Sequence, residues 1–240
     1  MTLLQLEGLT RHFGGLKAVE DVSLEVGQGE FLGIIGPNGA GKTTLFSMVS
    51  GQLAPSSGRV VFDGQDISGW PADKVAHAGL VRTFQLMRPF GSMSVVDNVA
   101  VASHSHHRSR TAARRHALGV LEQVHLADDA QRDTSSLTTA GLKRLELARA
   151  LAMEPRVLLL DEVLAGLVPA EREPMIETLR ALHDDGLTIL YVEHIMAAIM
   201  ALSKRLLVMH EGRSLALGDP QEIIHDPKVV EAYLGEEQKA

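Results

Sequence analysis

Eight residues, GPNGAGKT from Gly36 to Thr43, follow the apolar burst FLGIIG and precede a helical pattern. They fit the form G-x-x-x-x-G-K-[ST] in the strand–loop–helix context where that form carries a mechanism. Glycines let successive backbone N–H groups turn toward phosphate oxygens, and the positive end of the following helix adds to the attraction. Lys42 supplies a point charge for β- and γ-phosphates, and the Thr43 hydroxyl is placed to bind Mg²⁺. Gly36, Asn38, Gly39, Ala40 and Gly41 form the rest of the cradle, and Thr44 adds a further phosphate contact.

Asp161 and Glu162 close a second apolar run, VLLLDE. A carboxylate at the end of a buried strand persists only with a partner, and a hydrated Mg²⁺ is the natural one beside such a loop. Glu162, one residue on, points differently and is placed to take a proton from an attacking water. Two solvated strand-end acids are the plainer alternative, which the Gly-rich loop outweighs.

These residues need a scaffold. FLGIIG, VLLLDE and TILYVE are short aliphatic runs of the kind buried on both faces of a parallel sheet. LLQLEGL, AVEDVSLEV and GRVVFDG alternate instead, as antiparallel strands with one wet face do. Arg205–Leu217 holds two strand-like runs around His210-Glu211-Gly212-Arg213, which predicts a hairpin. Between Ser94 and Ala152 strand patterns give way to helical periodicity, which predicts a helical insert. Asp219-Pro220-Gln221-Glu222 combines an N-cap, an N1 proline and an N3 glutamate, a helix start. The expectation is one domain over residues 1–240: a core of 1–93 and 153–240 with an antiparallel β part, and a helical subdomain of 94–152.

Composition narrows the function. With 240 residues, 45% hydrophobic and 22% charged, the chain has the balance of a soluble globular protein. A formal charge of −7 gives no global basic field for nucleic acid or anionic lipid. The absence of cysteine excludes disulfides, thiolate metal sites and cysteine nucleophiles, and fits a cytoplasmic location. No run approaches the roughly 20 apolar residues that cross a bilayer.

The ordered set RHFGGLKAVEDVSLEV, GPNGAGKTTLF, GLVRTFQ, LTTAGLKRLELARALA, LLLDEVLAGL, VEHIM and EAYLGE resembles the ATP-binding subunits of ABC transporters, from about Leu3 onward. Within that family it looks like the subunits of branched-chain amino acid importers. The resemblance implies an ABC-type α/β fold and an ATPase that uses ATP and Mg²⁺. It also implies a head-to-tail pair with an identical or paralogous subunit, integral membrane permease subunits, and, indirectly, a solute-binding protein. Such a motor sits on the inner face of the cell membrane through its permeases. By the same resemblance Phe13 stacks on adenine, Gln85 reaches Mg²⁺ and the nucleophilic water, and His194 bonds the γ-phosphate. A soluble ABC ATPase outside transport, or a nucleotide-sensing module with little turnover, are the alternatives.

The segment from Leu137 departs from the family's L-S-G-G-Q signature. Thr138 keeps the hydroxyl needed to donate to phosphate. Ala140 keeps its N–H but adds a methyl that crowds the loop if φ is positive, and Gly141 lacks the side-chain amide. The surviving hydroxyl, backbone donors and helix N-terminus predict a substituted but working signature; a decayed site is the rival. Val168 stands where relatives carry Asp or Asn, and cannot make their hydrogen bond. The run His104, His106, His107 has no carboxylate near it in sequence and does not share one helix face, so a solvated surface is the expected reading.

Overall fold

The computed structural model describes residues 1–83 and 89–237. Gln85 lies outside the described residues. β1 (Thr2–Phe13) and β2 (Leu16–Gly27) form a long hairpin turning at Gly14-Gly15, with Phe13 opposite Leu16. After β3 (Phe31–Ile35) and α1 (Lys42–Val49), strands β4 (Ser57–Phe62) and β5 (Gln65–Asp66) extend that hairpin into an antiparallel sheet of order β2-β1-β4-β5. Next come α2 (Ala72–His77), β6 (Leu80–Arg82), α3 (Val95–Ser103), α4 (Arg110–Gln123), α5 (Thr139–Leu151) and β7 (Val157–Asp161). The chain then adds α6 (Pro169–Asp184), β8 (Thr188–Val192), α7 (Met196–Leu202), β9 (Arg205–His210), β10 (Arg213–Gly218), α8 (Pro220–Ile223) and α9 (Pro227–Glu237).

The second sheet runs β10-β9-β3-β8-β7-β6, parallel except where β10 folds back on β9. Its strands are buried on both faces, and the side-chain period of two decides what each face meets. Phe31, Leu158, Leu160, Ile189, Tyr191, Leu206 and Val208 turn toward the core shared with α3–α7. Leu32, Ile34, Leu159, Leu190, Val192, Leu207 and Met209 turn the other way, toward α1 and the antiparallel sheet. Continuous aliphatic runs were therefore required: each such side chain, fully buried, contributes about 1.5–3 kcal/mol.

The helices start where the sequence caps them. The Ser94, Ser109, Thr138 and Asp219 side chains accept from the N–H groups of Asp97, Ala112, Gly141 and Gln221. Among the described residues, no helix is long and apolar enough to cross a membrane.

Candidate functional site

Main-chain crowding sets the shape of the Gly36–Thr43 loop. At Gly36, φ is 154° and a Cβ would lie 2.1 Å from the Met209 carbonyl oxygen. At Gly41, φ is 95° and a Cβ would lie 2.3 Å from the Ala18 carbonyl oxygen. No other residue type fits either place. The same contacts tie the loop to both sheets, for Gly212 N–H donates to Ala40 O and Glu20 N–H to Gly212 O. That packing carries the β1–β2 hairpin tip beside the loop, so Phe13, 47% exposed, faces the same cleft.

This cleft has a volume of about 660 Å³, and Phe13, Gly39, Lys42, Thr43, Thr44 and Glu162 are among its lining residues, with Asn38, Ala40 and Gly41. Lys42 is buried, and its Nζ donates to the carbonyls of Gly36 at 2.5 Å and Pro37 at 2.9 Å. The ammonium is thereby held across the loop that it serves.

Asp161 closes β7 in the interior, and its Oδ2 accepts from Arg82 Nη2 at 2.7 Å. Both side chains are almost wholly buried. The other arm of Arg82 donates to Ser47 Oγ and Gln52 Oε1, which fixes α1 to the acidic strand. Removing one partner of such a pair costs more than the pair contributes, because the other charge stays buried.

Glu162 adopts φ 52°, a left-handed conformation uncommon for a non-glycine residue. Its N–H donates to Val192 O at 2.9 Å, its C=O accepts from Lys143 Nζ at 3.1 Å, and its Oε1 meets His194 Nε2 at 2.8 Å. Backbone locks on both sides leave the side chain directed into the cleft, with exposed His194 against it.

Thr138 caps α5 and Ala140 and Gly141 lie in its first turn, all outside the residues that line this cleft. Ala140 and Gly141 are ordinary helical residues, neither having positive φ. The crowding expected of the Ala140 methyl does not arise. Gly141 is tightly placed all the same: a Cβ there would lie 3.3 Å from the Leu137 side chain. Val168 is exposed at the N-cap of α6, where the Glu171 carboxylate accepts from its N–H at 3.1 Å. The helix start is thus satisfied without an acid at 168.

Three positioning residues escaped the sequence reading. Arg82 holds Asp161, and its only sequence signal was a charge inside a short apolar strand. Lys143 is buried on α5, and that burial pushes its ammonium below the usual lysine range, partly offset by Glu193 and Glu162. Glu193, just past β8, is 2% exposed, and accepts from Leu164 N–H and His194 N–H, both at 2.9 Å. It joins the loop after Glu162 to the histidine that faces Glu162. Glu193→Ala leaves the buried Leu164 N–H and the half-buried His194 N–H without this partner, and a stability loss of about 1–3 kcal/mol is expected; equilibrium urea unfolding measures it, and Glu193→Gln should lose less.

Comparison with known proteins gives these residues relatives. The ABC transporter family matches residues 19–165, and the branched-chain amino acid ATP-binding cassette transporter family matches residues 213–239. The chain is 40% identical over 252 residues to the high-affinity branched-chain amino acid transport ATP-binding protein BraF of Pseudomonas aeruginosa, covering 98% of each. It is 39% identical over 250 residues to the corresponding LivG of Escherichia coli, again covering 98% of each. A crystal structure of an ATP-binding cassette of an ABC transporter in its ADP conformation superposes with a TM-score of 0.89 at 31% identity, over 98% of this chain and 99% of that one.

Proposed function

The chain belongs to the ABC transporter family as an ATP-binding subunit of the branched-chain amino acid type, and we propose that its cleft holds ATP on the GPNGAGKT loop while Glu162 prepares the attacking water. The observation that carries this reading is the convergence of Phe13, Lys42, Thr43 and Glu162 on one cleft, with His194 bonded to Glu162. In it, Phe13 offers a face for adenine, loop N–H groups and Lys42 take the phosphates, and Glu162 accepts the water's proton. His194 steadies the γ-phosphate as charge develops.

Mg²⁺ fits the donors present, since Thr43 offers a hydroxyl and Asp161 a buried carboxylate, both hard oxygens. When bound, the ion neutralises charge on the phosphate oxygens. Gln85 completes this proposal, although it lies outside the described residues.

Thr138 is exposed and away from the cleft of its own chain, so one subunit lacks the signature contact. We assign that contact to a second subunit, identical or paralogous, docked head to tail. The layer of residues 94–152 then acts as the subdomain that presents Thr138 across the interface. Closure and release of the pair would drive permease subunits on the inner face of the membrane, and the relatives' names point to branched-chain amino acids as cargo. A nucleotide sensor without turnover is disfavoured by the helical Ala140 and by the Glu162–His194 pair.

Phosphate release by the purified chain, alone and with its membrane subunits, tests the reading. Stimulation by the permeases is expected; absence of hydrolysis in every combination rejects it. Lys42→Ala should weaken ATP binding roughly 10- to 100-fold, the worth of charge-assisted contacts, and titration with labelled ATP measures it.

A further inference from the structure

We infer that His107, His116 and Glu154 form a second metal site, separate from the nucleotide cleft, for one zinc-class divalent ion that staples the helical layer. The three come from different places: the turn after α3, the middle of α4, and the turn after α5. Glu154 lies at the far end of α5 from Thr138, about 20 Å along a helix of that length. Each offers one ligand atom, and the three atoms lie within 4.8 Å of one another. His107 Nε2 is 3.0 Å and His116 Nε2 is 3.6 Å from Glu154 Oε1. A tetrahedral ion with ligands at about 2.0–2.1 Å needs ligands about 3.4 Å apart, which these separations bracket. The group opens on a surface cleft of about 530 Å³, leaving solvent for a fourth ligand.

The hydrogen bonds around the group fit a ligating imidazole. Buried Ser103 donates its hydroxyl to Val99 O at 3.3 Å, so toward His116 Nδ1, 3.0 Å away, it accepts. With the Ser103 hydroxyl donating to Val99 O, His116 carries its proton on Nδ1 and presents a lone pair at Nε2 toward the carboxylate oxygen, the tautomer that a metal site needs. Two acceptors turned toward each other call for a cation between them. A metal ion accepts that lone pair directly, and Ser103 is the outer partner that orients a ligating histidine. His106 Nε2 meets Met153 O at 3.0 Å, pinning the turn to the same end of α5. Nitrogen and oxygen donors without thiolate suit Zn²⁺, Co²⁺ or Ni²⁺. Arg115 also lines the cleft and tempers the affinity without occupying a ligand position.

The test uses the full chain, untagged and stripped with chelator. Zn²⁺ titration by calorimetry should show one ion per chain, and Co²⁺ should give tetrahedral visible absorption. Saturating Zn²⁺, at about a hundred times Kd, should raise Tm by about 5–10 °C. His107→Gln, His116→Gln and the exposed Glu154→Gln should each lower affinity at least tenfold, whereas His104→Gln should change nothing. Nucleotide binding should be unaffected in all of them, and circular dichroism verifies folding. Absence of stoichiometric binding overturns the inference, as does binding that survives both Glu154→Gln and His107→Gln.

Discussion

Glu162→Gln is expected to lower ATP turnover by about 10²–10⁴-fold, the usual worth of a positioned general base, while leaving ATP affinity near that of the parent chain. The separation of effects follows from geometry. Val192 O and Lys143 Nζ hold the main chain of residue 162, so the change touches neither the αL backbone nor the strand before it. Gln has the same shape as Glu and still meets His194, 2.8 Å from the present carboxylate oxygen. Its amide cannot take a proton from water at neutral pH. In the proposed site, phosphates held by Lys42 and the loop N–H groups do not need that proton acceptor. Single-turnover phosphate release and labelled-ATP titration on the same sample measure the two effects. Release at the parent rate would mean that another group activates the water.

Whatever depended on local pattern could be read from the sequence. Aliphatic runs at Phe31–Ile35, Val157–Asp161 and Thr188–Val192 had to be strands buried twice, because both layers packed on them are apolar. The Arg205–Leu217 hairpin and the Asp219 cap were equally local. What escaped were partners that the fold brings together from afar. Arg82 meets Asp161 across 79 residues of chain, and Glu193 meets Leu164 across 29. Neither pairing leaves a mark on its own segment. The histidine run shows the same limit, since the carboxylate near His107 belongs to Glu154 and not to any neighbour in sequence. His104, which opens the run, takes no part in that cluster. The substituted signature was legible only in part. That the Ala140 methyl meets no positive-φ crowding depends on its helical backbone, which five letters do not state.

Thr138→Asp is expected to abolish ATP-dependent pairing and to reduce turnover by about 10²–10³-fold, the cost of losing one donor at a charged transition state, without weakening ATP binding to the single subunit. In the parent chain Thr138 Oγ1 accepts from Gly141 N–H at 3.1 Å, capping α5. That bond uses a lone pair and leaves the hydroxyl proton free to donate outward, in the proposed pair toward a phosphate of the facing subunit. Aspartate caps a helix as well as threonine does. It therefore keeps α5 intact while removing the proton and setting a negative charge against the triphosphate. Thr138→Ser keeps both roles and should behave like the parent, whereas Thr138→Ala loses the donor along with about 1 kcal/mol of capping. Comparing Asp with Ala thus separates a damaged helix from a missing contact, since only Ala weakens both. Sedimentation with ATP, in chains that also carry Glu162→Gln to prevent hydrolysis, reports the pairing. A Thr138→Asp chain that still sediments as a dimer would remove Thr138 from the interface, and the incomplete site of the single subunit would need another explanation.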